Sequence, residues 1–106
     1  MASDARRARL RRRVAEWTTR LQVQPKVVHV RKMKRKWGSC STGGVVTLAA
    51  DLVRKPTGFQ DFVIAHELLH LRVRNHGKLF RALLAVHIPG WRRHDIARRQ
   101  GASKLN

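Results

Sequence analysis

The stretch Phe62-Val63-Ile64-Ala65-His66-Glu67-Leu68-Leu69-His70-Leu71 constrains this chain most, because it sets ionisable groups into an apolar run. The full run, Phe59 to Val73, has helical length and the apolar content of a helix meant to be buried. A helix turns once per ~3.6 residues, so His66 and His70 share a face about one turn apart. Two imidazoles stacked this way can each aim a ring nitrogen at one metal ion, at about 2.0–2.1 Å for zinc. Glu67 lies ~100° around the helix from His66, beside the pair. From there it can reach a water on the metal without displacing a ligand, as a general base should. The alternative is a core helix with two hydrogen-bonded histidines and a stray glutamate. That arrangement buries charge with little to compensate it, which is costly.

A catalytic zinc takes three protein ligands and leaves its fourth place for water. His76, which follows His70 by six residues and precedes Gly77, is the expected third ligand, with His87 as runner-up. The residues thus point to one zinc ion on His66, His70 and His76, with Glu67 as the base.

At 106 residues the chain can bury one modest core, so residues 1–106 are expected to form a single domain. An apolar fraction of 42% argues against disorder. Cys40 is the sole cysteine, which excludes an intramolecular disulfide and suits a reducing cytoplasm. The arginine-rich start is not followed by a continuous apolar run, so no signal peptide is expected. Asp61, His66 and Glu67 interrupt the longest apolar stretch, so no membrane span is expected either. The expected protein is a cytoplasmic monomer. Its net charge of +18 would attract polyanions, including nucleic acid, anionic nucleotides and acidic membranes. Arginine far outnumbers lysine, however, and an arginine-rich proteome would produce that excess without functional demand. Both explanations stay open.

Along the chain, Ser3 and Asp4 can cap a first helix whose apolar stripe is Leu10, Val14, Trp17 and Leu21. Arg6, Arg7, Arg9, Arg11, Arg12, Arg13 and Arg20 crowd its other faces and repel one another, so the stripe must dock to hold the helix. Pro25 is expected to end it. Lys26 to Val30 reads as a strand, and the basic run Arg31 to Lys36 leads into Trp37-Gly38-Ser39-Cys40. Gly43-Gly44 signals a hairpin before a strand at Val45 to Ala49. Three short strands make a small sheet, expected to be mostly antiparallel and stable once a helix covers one face. Thr57 or Gly58 starts the motif helix. Beyond Gly77, Leu79, Phe80, Leu83, Leu84 and His87 recur at helical spacing and should pack beneath the site. Pro89-Gly90 breaks that helix, and Trp91 to Gln100 forms the last. The fold class is α+β: an N-terminal helix, a three-stranded sheet, the motif helix and two further helices.

Three segments in order, Lys34-Arg35-Lys36-Trp37-Gly38-Ser39-Cys40, His66 to Leu71, and Asn75-His76-Gly77-Lys78-Leu79-Phe80, closely resemble the YgjP-like metallopeptidases, relatives of the SprT-like zinc proteins. The resemblance runs from about Val30 to about Trp91. It implies a minimal zincin fold, with a small sheet on the motif helix and a cleft between them. It also implies zinc ligands at His66, His70 and His76, a catalytic base at Glu67, and Trp37 to Cys40 in a strand near the cleft. Two departures stand out. Members often carry an aromatic residue where this chain has Arg81, and no tyrosine is present to steady an oxyanion. That role would fall to His87, His94, an arginine, or nothing.

Three functions compete. The first is peptide hydrolysis, with a peptide added as an extra strand along Trp37, Gly38 and Ser39. The second is a zinc phosphohydrolase acting on nucleotides, disfavoured by the lack of a glycine-rich phosphate loop. The third is a basic nucleic-acid-binding domain whose zinc is structural, with Cys40 closing the site as a fourth ligand. Trp37 is a core anchor or a stacking platform for a base. One of Asp51, Asp61 and Asp95 is a candidate to orient a ligand histidine.

Overall fold

Helix α1 (Ala2–Leu21) forms through the arginine-rich stretch because Leu10, Val14, Trp17 and Leu21 give it one face to bury, and all four are buried. The computed structural model describes residues 2–100. The helix already runs from Ala2, so Asp4 sits inside its first turn, while the side chain of Ser3 lies outside the described residues. The helix stops before Pro25. Gln22 adopts a left-handed conformation (φ 53°), the Val23 N–H donates to the Thr18 carbonyl, and the Gln22 N–H donates to that of Thr19. This is a Schellman-type stop with glutamine where glycine is usual.

The sheet contains β1 (Val27–Arg31), β2 (Gly38–Cys40) and β3 (Val45–Ala49), in the spatial order β1-β3-β2. It is mixed rather than mostly antiparallel. β2 pairs antiparallel with β3, from Gly38↔Leu48 to Cys40↔Val46. β1 runs parallel to β3, from Val27↔Val45 to Arg31↔Ala49. The central place goes to the strand best able to be buried: Val46, Leu48 and Ala49 of β3 are buried, whereas no residue of β2 is. The hairpin lies where expected, with Gly44 left-handed (φ 87°) and the Ser41 Oγ accepting from the Val45 N–H at 3.1 Å.

A short 3₁₀ turn (Ala50–Arg54) leads into the motif helix α2 (Thr57–Leu69). Buried Gln60 fastens the two, donating to the Lys55 carbonyl at 2.9 Å. α2 packs against α1, β2, β3 and the two later helices, α3 (Lys78–His87) and α4 (Trp91–Gln100). From α3, Phe80 and Leu84 face inward and are buried, and Leu83 is partly covered. Leu79, expected in the same stripe, points outward and is 60% exposed. No helix among the described residues is long and apolar enough to cross a membrane.

The joint between α1 and α2 is polar. Asp61 accepts from Arg13 Nε at 3.0 Å and Nη2 at 2.6 Å, and from Trp17 Nε1 at 2.9 Å. Asp61→Ala would leave a guanidinium and a buried indole N–H unpartnered. The expected loss is about 2 kcal/mol in urea unfolding, from the cost of abandoned donors. A change below about 0.5 kcal/mol, the scale of a neutral surface substitution, would contradict this role.

Candidate metal centre

His66, Glu67 and His70 lie at the C-terminal end of α2 and are buried, at 6%, 6% and 9% exposure. His70 is the helix cap, after which the chain reverses and brings back His76 from the loop ahead of α3. His76 is exposed, yet its Nε2 stands 2.9 Å from the Nε2 of His70. The three rings converge, with centroid separations of 5.1, 5.0 and 4.6 Å. One ring nitrogen from each of His66, His70 and His76 lies within 4.8 Å of the others, close enough to hold a metal ion. Phe80 underlies all three, its ring 5.3, 4.7 and 4.8 Å from theirs.

The second ring nitrogens are also engaged. His70 Nδ1 lies 3.1 Å from the Val73 carbonyl, so it donates there and leaves Nε2 as a lone pair. His66 Nδ1 faces Glu67 Oε2 at 3.2 Å. A backbone carbonyl in the turn after α2, not an aspartate, thus orients His70. Asp61 is held by Arg13 and Trp17, and Asp95 by Arg98 and Arg99. Burial lowers the pKa of His70, against opposing pulls from the Val73 carbonyl and Glu67. Burial also lowers that of His76, helped by His66, His70 and Arg98. Both shifts favour the neutral imidazole that a metal requires.

β2 closes over Glu67. A Cβ on Gly38 would stand 2.8 Å from Glu67 Cγ and 3.2 Å from the Thr47 carbonyl, so glycine is what lets the strand approach the carboxylate. Between them lies a cleft of about 340 Å³, bordered by Gly38, Ser39, Glu67, His70 and His76. Trp37 borders it too but is buried, its ring edge-on to Phe59 at 5.5 Å with the Lys55 ammonium 5.2 Å from the ring centre. That is an anchor's environment rather than an open stacking platform. Cys40 is not part of the histidine cluster. Its Sγ accepts from Arg74 Nη1 at 3.6 Å, and burial raises its pKa.

His87 packs against Trp17 and His94 against Phe62, and neither borders this cleft. Two arginines that no motif signalled do border it. Arg74 donates to the carbonyls of His70 and Cys40, both at 3.1 Å, and so ties the end of α2 to β2. Arg98 reaches the cleft from α4.

The lowered pKa values carry a sign. Histidines of the unfolded chain titrate near 6.5, and His70, His76 and His94 titrate lower when folded. Below that pH the unfolded state binds more protons, so stability is complete above 6.5 and is lost as pH falls. Metal-free protein should therefore melt at progressively lower temperature from about pH 7.5 to about pH 5.5, across the ordinary histidine range. A midpoint that rises on acidification would contradict this.

No curated protein matches the chain. The profile of the YgjP-like family, described as a metallopeptidase domain, matches residues 2–97. That span holds all three converging histidines, Glu67 and β2. The chain belongs to the YgjP-like metallopeptidase domain family.

Proposed function

We propose that this protein is a zinc-dependent metallopeptidase, with one zinc on His66, His70 and His76 and Glu67 as the general base. The observation that carries this is the convergence of three imidazoles beside a buried carboxylate at the foot of a cleft. The donor set fits zinc. Three nitrogens with no thiolate or fourth protein ligand among the described residues suit an open catalytic site, whereas structural sites are closed and rich in cysteine. Bound there, zinc would supply a Lewis acid and lower the pKa of water to about 7.

Glu67 takes the proton of the attacking water and passes it to the leaving amine. Gly38 leaves it room to do so. A peptide substrate adds as a strand along β2, at Trp37, Gly38 and Ser39. The other edge of the sheet is already used, since Arg11 and Arg7 of α1 donate to the Val28 and Val30 carbonyls of β1 at 3.2 and 3.4 Å. At the two ends of β2, the Trp37 carbonyl and the Ser41 N–H bond to β3. Strand alternation then turns the backbone of Gly38 outward, towards the cleft. Trp37 serves as the rigid wall behind that position. In this reading the protein acts as a cytoplasmic monomer, and its charge of +18 draws acidic proteins or nucleic acid towards it.

Glu67→Gln should retain zinc and lose about 10²–10⁴-fold in turnover of unfolded protein substrates, the range general base catalysis supplies. Nucleoside triphosphates assayed in parallel should be poor substrates. Comparable turnover by the variant would remove Glu67 as base, and a clean preference for nucleotides would replace peptide hydrolysis with phosphate-ester chemistry.

A further inference from the structure

A second cavity, of about 340 Å³, opens between α3 and α4 and includes no residue of β2. His66 and His76 line it and border the β2 cleft as well, so a group entering it lies beside the histidine cluster. Phe80, Leu84 and Trp91 give it an apolar lining. Beside Asp95 and Ile96, its wall carries four cations, Arg81 from α3 and Arg92, Arg98 and Arg99 from α4. Arg81 stands at the position where the resemblance leads one to expect an aromatic residue, and Arg92 is stacked on Trp91 at 4.7 Å.

Asp95 is the one acid in the cavity wall, and it is committed. Its Oδ1 accepts from Arg98 Nε at 3.1 Å and Nη2 at 2.9 Å, and its Oδ2 pairs with Arg99 Nε at 3.0 Å. Four arginines against one carboxylate leave a cationic surplus. Arg98 is the member that borders both cavities. Asp95 grips one edge of its guanidinium, while Nη1 has no hydrogen-bond partner among the described residues. A planar guanidinium held on one edge and open on the other is prepared to receive a carboxylate.

We propose that this cavity is the specificity pocket for the substrate residue beside the scissile bond, and that it selects an acidic side chain with Arg98 as the receiving cation. This rests on the reading of the histidine cluster as a hydrolytic metal centre. A glutamate offers a methylene stem to Phe80, Leu84 and Trp91 and a carboxylate to Arg98. A lysine would meet like charges. A leucine would suit the lining but leave the guanidinium donors desolvated and unmet.

The test uses the full chain loaded with zinc and three dipeptide hydroxamates that differ only in the side chain next to the chelating group: glutamyl, glutaminyl and lysyl. Calorimetry should show the glutamyl compound binding at least about tenfold tighter than the glutaminyl one, the scale of a hydrogen-bonded charge pair, with the lysyl compound weakest. Arg98→Ala should abolish the glutamyl advantage, and Arg98→Lys, which keeps the charge beside Asp95, should retain part of it. Arg9→Ala, on the exposed face of α1, should leave it unchanged and so separate the pocket from the general field of the protein. Equal metal-dependent binding of all three, or a preference that survives Arg98→Ala, would overturn the pocket and leave the metal centre standing. Failure of every hydroxamate to bind, with no zinc retained, would overturn both.

Discussion

Burying His66, Glu67 and His70 on the helix that α1, β2, β3, α3 and α4 pack against is the constraint around which the structure is arranged. Polar groups taken from water must find partners, or the fold loses stability for each of them. The turn after Leu69 answers this demand: it presents the Val73 carbonyl to His70 and returns His76 to within 2.9 Å of the same ring. Phe80, in the first turn of α3, follows His76 by four residues and closes the apolar side beneath all three imidazoles. On the opposite side, glycine at position 38 lets β2 cover the glutamate closely. Neutral imidazoles, favoured by burial, complete a set of donors suited to a divalent metal.

Part of what looks like a basic surface is structural. Arg7 and Arg11 cover the β1 edge, Arg13 ties α1 to α2, and Arg74 ties the end of α2 to β2. Such bonds use the wide reach and multiple donors of guanidinium in a chain too short for a large core. They also leave β2 as the sheet edge next to the histidine cluster. Arg98 differs: its bonds to Asp95 stay within α4, and one edge of its guanidinium remains uncommitted among the described residues.

What was legible in the sequence is what depends on local periodicity. The α1 stripe and the motif helix follow from apolar spacing, α4 follows from the break at Pro89-Gly90, and the three histidines come together in space. The parallel pairing of β1 was not legible, because strand order is decided by which strand is best buried, and β2 is only Gly38-Ser39-Cys40. The end of α1 was hidden because Gln22 takes a conformation that usually advertises itself through glycine. The sequence offers aspartates as partners for a ligand histidine, whereas the Val73 backbone carbonyl that holds His70 carries no sequence signature. Arg74 and Arg98 carry no sequence signal for a related reason: the reach of a long side chain depends on tertiary structure, and in a chain with 24 lysines and arginines no single one stands out.

The most direct test of the central claim is the metal content of protein purified without chelator, measured beside a His76→Ala variant of equal stability. The three-histidine centre requires close to one zinc per chain in the parent and a clear fall in the variant. No metal in either protein after zinc is offered, or an undiminished content in His76→Ala, would contradict it.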